Sequence, residues 1–169
     1  IDFIRIPTKG GSFRGIVQRV DGSRLENPSI QRQIDYEATK GYNRVEVFRS
    51  FVAELEGMKR KLTDLLADLK GQGKRIVGYG ASATVTTLMY YFGLGEFLDF
   101  LLDDNPRKHE TFSPGYHLPV FPSAVLYDHQ VDYIVVLAWN FAGPIMRKHQ
   151  AYRDVGGKFI IPLPTVNIL

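Results

Sequence analysis

The 169-residue chain contains no cysteine. Disulfides, thiolate nucleophiles and zinc–thiolate centres are thereby excluded within it. Histidine is scarce. His109, His117, His129 and His149 form no close pair and no HExxH spacing, so no metal site is expected. No apolar run reaches the length that crosses a bilayer, and no signal-peptide pattern opens the chain. The expected location is the cytoplasm, without a membrane partner. The 21 Lys and Arg exceed the 18 Asp and Glu by a net +3, but they are dispersed. A nucleic-acid patch is not expected. There is no internal repeat and no low-complexity segment. The chain opens on Ile1 in mid-pattern, the mark of a piece of a longer protein.

What is present is a globular composition, 44% hydrophobic and 23% charged, enough for one ordinary domain with an appendage. Residues 1–20 read as two extended runs around Gly10-Gly11, a turn signal. Two strands alone are marginal in water, so this hairpin must pack on something. Residues 21–43 are polar, and Asn27 or Ser29 is placed to open a short helix after Pro28. In residues 44–70, Phe48, Phe51, Leu55, Met58, Leu62, Leu65 and Leu69 recur at steps of three and four, which predicts one long amphipathic helix. Gly71 and Gly73 end it. It lies across a domain face or serves as a coiled-coil seam. About four heptads, with a globular unit directly after, favour the first.

From Lys74 the pattern alternates. "RIVGYG", "FLDFLLDD", "VDYIVVLAW" and "GGKFIIPLP" read as strands. Residues 81–92, "PSAVLYDH" and "NFAGPIMRKHQAYRDV" read as helices, with a Pro-rich loop over 105–121 that ends in a short extended piece. Continuous apolar strands between helices imply a mainly parallel sheet covered on both faces. The expected fold is α/β: a Rossmann-like, doubly wound sheet, preceded by the hairpin and the long helix.

Ligands of such a sheet bind beyond the carboxyl ends of its strands. The first strand delivers Gly78, Tyr79, Gly80, Ala81, Ser82, Ala83 and Thr84. Gly78-x-Gly80-x-x-Ala83 is a loose dinucleotide fingerprint without the third glycine, and it also lacks a P-loop lysine. In it Gly78 would allow a tight turn, Gly80 would admit a phosphate, and Ala83 would let helix and strand approach. The same residues equally describe a tight strand-to-helix turn. Asp103 lies 25 positions after Gly78, where a ribose-binding acid is expected, or else Asp103 or Asp104 caps the turn into Asn105-Pro106. His117 lies in a loop aimed at the same edge and is an acid/base candidate or a surface residue. Trp139 and Asn140 end a strand there, to stack on and hydrogen-bond a ligand, with Asn140 also an N-cap. No Ser-His-Asp or paired-carboxylate arrangement can be assembled, so no catalytic residue is assigned.

Five stretches in order, "RIPTKGGSFRG", "GKRIVGYGASA", "LDDNPRKHETFSPGYHLPV", "DYIVVLAWNF" and "GGKFIIPLP", resemble the carboxyl-terminal domain of the sugar C-methyltransferase family. Those enzymes use S-adenosylmethionine to methylate a carbon of a nucleotide-linked deoxysugar. The resemblance implies three segments. Residues 1–20 would be the leftover strand and hairpin of a preceding methyltransferase domain, 21–73 a helical connector, and 74–169 a Rossmann-like nucleotide-sugar-binding domain. It implies a dTDP-linked deoxysugar as the favoured ligand. It implies that S-adenosylmethionine and the catalytic base belong to the preceding domain, on which this chain would pack, and that a zinc region lies further upstream. This chain alone would then be inactive. The family's loop usually reads GYGAxAKG. Here Thr84 stands in place of the lysine and Val85 in place of a small residue, with Arg107 or Lys108 as a candidate substitute cation. Two other readings stay open: an NAD-binding oxidoreductase domain, from the glycine loop and Asp103, and a non-catalytic interaction module with the long helix as a dimer seam.

Overall fold

The computed structural model describes residues 1–169, the side chain of Lys9 excepted. The chain forms two compact units, Ile1–Glu54 and Leu55–Leu169.

In the first unit, β1 (Asp2–Ile6) and β2 (Ser12–Ile16) pair antiparallel. The turn uses Gly10 at φ +82° and Gly11 at φ +127°, conformations that glycine adopts without penalty. The partner the hairpin needs is the helix α1 (Ser29–Thr39). Ser29 Oγ donates to Asp2 Oδ1 at 2.6 Å and accepts from Phe3 N at 3.0 Å. Arg5 reaches Gln33 Oε1 and lies 4.3 Å over the Tyr36 ring. The start of α1 is held by Asn27, whose Oδ1 accepts from Ser29 N at 2.9 Å.

The helix α2 (Val45–Gly71) continues into the second unit. Its end is a Schellman closure. Gly73 sits at φ +74°, its N–H donates to Lys70 O, and Lys74 N–H donates to Leu69 O. Leu62, Leu66 and Leu69 are buried, while Phe48, Phe51 and Val52 stay about half exposed. The later half of the stripe is thus built into a core.

The sheet of the second unit runs β5-β6-β4-β3-β7-β8-β9. Its five parallel members are β3 (Ile76–Tyr79), β4 (Leu101–Asp103), β6 (Pro119–Pro122), β7 (Tyr133–Val136) and β8 (Lys158–Ile161). Two antiparallel strands, β5 (Thr111–Phe112) and β9 (Asn167–Ile168), close the edges. The chain moves outward from β3 to β4 and β6, then returns to place β7 on the other side of β3. The order therefore reverses between β3 and β7. Alternate residues feed two cores. Ile76, Leu101, Val135 and Ile160 join Leu62, Leu66 and the helix α3 (Ala83–Phe92) on one face. Val77, Leu102, Ile134, Val136 and Phe159 join the helices α4 (Ala142–Lys148) and α5 (Gln150–Asp154) on the other. This is the doubly wound, mainly parallel Rossmann-like sheet that the apolar runs imply.

Four details differ from the sequence reading. Only Leu101–Asp103 of "FLDFLLDD" is strand; Leu98 and Phe100 are buried ahead of it. The 105–121 loop contains the edge strand β5. Residues Ser123–Tyr127 are a 3₁₀ turn rather than α-helix, and Trp139–Phe141, where a strand end was expected to pass into a helix, are another. The last long helix is broken at His149, whose φ −108° and ψ +36° leave the helical region. Among the described residues no helix is long and apolar enough to cross a membrane.

Candidate functional site

The carboxyl ends of β3, β4 and β7 meet where the strand order reverses, the place at which open α/β sheets bind ligands. β3 passes to α3 through Gly80, Ala81 and Ser82. Gly80 has φ +112°, and a Cβ there would stand 2.9 Å from Ala138 Cβ and 3.2 Å from Ala138 N. Both its conformation and the close exit of β7 require glycine. Gly78 plays a different part from the expected one. It lies inside β3, and a Cβ there would meet the Leu101 and Leu137 side chains at 2.6 Å. Its bareness serves core packing, and the turn rests on Gly80.

Ser82 is the N-cap of α3, its Oγ accepting from Val85 N at 3.4 Å. Thr84 shares a hydroxyl contact of 2.9 Å with Ser82. Ala83 opens the helix. The N–H groups of Ala83 and Thr84 find no acceptor among the described residues and face the end of the helix where a dipole favours an anion.

Asp103 is only 8% exposed, and its carboxylate is fully engaged. Oδ2 accepts from Ala81 N at 2.8 Å and from Lys108 Nζ at 3.0 Å, while Oδ1 accepts from Asn105 N at 2.8 Å. The His109 ring donates to its carbonyl at 2.8 Å. Asp103 therefore ties the glycine loop to the exit of β4. Asn105 Oδ1 caps the next turn through Arg107 N at 3.1 Å. Lys108 is committed to Asp103.

A second network lies on the α4 face. Asp104 Oδ1 accepts from Tyr79 Oη at 2.8 Å, from Ser123 Oγ at 2.6 Å and from Lys148 Nζ. Tyr79 Oη is also 3.0 Å from His149 Nε2, and His149 Nδ1 is 3.1 Å from Tyr127 Oη. Burial of Asp104 opposes its ionisation, but the hydrogen bonds from Lys148, Ser123 and Tyr79 outweigh it and hold the carboxyl at about 2. Burial, then the bond to Asp104, pushes the Tyr79 hydroxyl well above its ordinary value. Burial, then the Lys148 ammonium, lowers His149 below its ordinary value against the opposing pull of Asp104. Tyr79 thus keeps its proton and donates it in a hydrogen bond to Asp104. The tautomer consistent with this network is a neutral ring that donates from Nε2 to Tyr79 and accepts at Nδ1 from Tyr127.

Above this network opens a cleft of about 320 Å³, walled by Gly80, Ala138, Phe141 and Pro144 and bordered by Asp104 and Lys148. Among the residues picked out from sequence, the structure gathers Tyr79 through Thr84, Asp103, Asn105, Trp139 and Asn140 at this edge. Asn140 is exposed, and the N-cap of α4 is Phe141, without a side-chain bond; the intervening 3₁₀ turn displaces the expected cap. His117 does not join them. β5 runs antiparallel to β6, so the loop 113–118 returns to the opposite edge of the sheet, where His117 is exposed at φ +52°. Ser123, Lys148 and His149 were not assigned to a site from sequence, and Asp104 was read only as a strand end or turn cap. Their neighbours in the chain carry no motif, and the bonds that unite them span up to 70 positions.

Comparison with known proteins agrees with the resemblance. A family model described as "C-methyltransferase C-terminal domain" matches residues 7–164. The C-methyltransferase NovU of Streptomyces niveus is 25% identical over 170 residues, a match that covers 100% of this chain and 40% of that protein. The chain thus spans less than half the length of this curated relative. A crystal structure of UDP-D-quinovosamine 4-dehydrogenase from Vibrio fischeri aligns with a TM-score of 0.39 at 14% identity, covering 52% of this chain and 75% of the other. A match to the family model over nearly the whole length, on a chain with this sheet and glycine loop, places it: the chain belongs to the C-methyltransferase C-terminal domain family.

Proposed function

We propose that this chain is the nucleotide-sugar-binding domain of an S-adenosylmethionine-dependent C-methyltransferase acting on a nucleotide-linked deoxysugar, with a dTDP-sugar the favoured ligand. The observation that carries the reading is the cleft at the reversal of strand order, which Gly80 lines, with the N–H groups of Ala83 and Thr84 open at the start of the helix that follows Gly80. The diphosphate is assigned to the segment Gly80–Thr84, and Trp139, Asn140 and Asn105 are assigned to the rim. The methyl donor and the catalytic base are assigned to the preceding domain of the whole enzyme. Asp103, which would have to accept a ribose hydroxyl in the dinucleotide manner, is instead bonded to Ala81, Asn105 and Lys108. That counts against both NAD and the methyl donor in this loop. A thiolate zinc site has no ligands here, since there is no cysteine. Residues 1–20 are read as belonging with the preceding domain, 21–73 as connector and 74–169 as the ligand-binding domain.

The test is calorimetric titration of the chain with dTDP, UDP and NAD, repeated on Thr84→Lys. Thr84 is exposed, so the lysine is tolerated, and it restores the cation of the family loop. A nucleoside diphosphate should bind, and Thr84→Lys should tighten it. Saturable NAD binding in preference to both diphosphates overturns the reading, as does methyl transfer by this chain alone.

A further inference from the structure

Two carboxylates border the cleft at the end of β4, and only one has a free oxygen. Asp103 uses both of its oxygens internally. Asp104 receives Tyr79, Ser123 and Lys148 all on Oδ1, and no described residue donates to Oδ2. Its side chain is 48% exposed, and that of Lys148 is 49% exposed. A carboxylate oxygen accepts about two hydrogen bonds and an ammonium donates three. Lys148 spends donors on Asp104 and Ser123 and keeps one. The rim therefore holds a fixed acceptor beside a fixed donor, with no net charge, next to an apolar wall of Ala138, Phe141 and Pro144.

That combination does not suit a phosphate, which would meet Asp104 as closely as Lys148. It suits hydroxyl groups, each of which donates and accepts. One hydroxyl donates to Asp104 Oδ2, and its neighbour on the same ring accepts from Lys148 Nζ. We propose that Asp104 and Lys148 form a subsite for a vicinal hydroxyl pair on a sugar ring of the ligand. This rests on the nucleotide-sugar reading above. The pair comes from the pentose of the nucleotide or from the attached hexose.

The experiment measures dissociation constants of the chain for dTDP, UDP and dTDP-glucose, with the Asp104→Asn and Lys148→Met variants alongside. dTDP lacks a vicinal pair, UDP carries one on its ribose, and dTDP-glucose carries pairs only on its hexose. In Asp104→Asn the amide oxygen can still serve Tyr79, Ser123 and Lys148, while an NH₂ replaces the free acceptor. A melting curve checks that each variant folds. The expected result is a loss of about tenfold, the size of one charge-assisted hydrogen bond, for UDP or for dTDP-glucose, with dTDP unchanged or tighter. The ligand that weakens identifies the ring. Lys148→Met should give the same pattern and decides the matter if Asp104→Asn fails to fold. If UDP and dTDP-glucose keep their affinities, or dTDP weakens equally, the subsite is wrong and the nucleotide-sugar reading stands. If none of the three binds the unmodified chain, both fail together.

Discussion

Tyr79→Phe isolates the buried network at the end of β3. The ring is 3% exposed, so phenylalanine fills the same space and leaves no cavity. What disappears is one oxygen, which donates to Asp104 at 2.8 Å and accepts from His149 at 3.0 Å. The bond to Asp104 contributes little, about 0.5–1 kcal/mol, because the half-exposed carboxylate finds water instead. The His149 ring is 2% exposed, and its Nε2 would face a hydrocarbon edge. A stranded buried polar group costs about 1–3 kcal/mol. Tyr127 is half exposed, so its hydroxyl can turn and let the ring exchange tautomers, which keeps the penalty toward the lower end. The sum is a destabilisation of about 2 kcal/mol. Urea unfolding followed by Trp139, the sole tryptophan, should show a lower midpoint with an unchanged slope. A double-mutant cycle with His149→Gln should give a coupling of about 1 kcal/mol. A loss below about 0.5 kcal/mol, or additive effects, would refute the idea that this oxygen links the two groups.

Two further outcomes follow from the same structure. The folded pKa of His149 is lowered, so the unfolded chain takes up a proton that the native ring refuses. The stability contributed by His149 is present above its unfolded pKa of about 6.5 and is lost as pH falls from there toward the folded value, at a slope of at most about 1.4 kcal/mol per pH unit. His149→Gln should remove that component from the stability profile between pH 7 and pH 5; profiles that stay parallel would contradict it. On α2, Leu66 is 0% exposed and Phe48 is 52% exposed. Leu66→Ala should cost about 3 kcal/mol and Phe48→Ala under about 1 kcal/mol, read from urea midpoints. Equal losses would mean that the exposed half of the stripe is covered in solution, as a dimer seam requires.

The class of fold could be read without coordinates because each sign of it is local. The stripe of α2 repeats every three or four residues, and the β7 segment "YIVV" is apolar on both faces. The hairpin turn sits on two adjacent glycines, and the glycine loop lies between a strand and a helix. Such patterns depend on the period of one element and on residues with restricted or unusual backbone freedom. The family resemblance, too, was carried by short contiguous stretches.

Which groups share an edge was decided only by tertiary structure. Asp103 and Asp104 are neighbours in the chain, but Asp103 ends β4 and Asp104 lies in the bend that follows it. One turns to the glycine loop and is used up there. The other turns to Ser123, Lys148 and Tyr79, and keeps an oxygen free. Gly78 and Gly80 look alike in the motif, yet the side chains of Leu101 and Leu137 explain one, and the backbone of Ala138 with a positive φ explains the other. His117 was sent to the far edge by a two-residue antiparallel strand too short to leave a pattern. Composition and period determined the layers and the strand ends. Strand direction and long-range packing determined which of those ends present chemistry to a ligand, because a bond between residues 79 and 149 has no signature in the sequence around either.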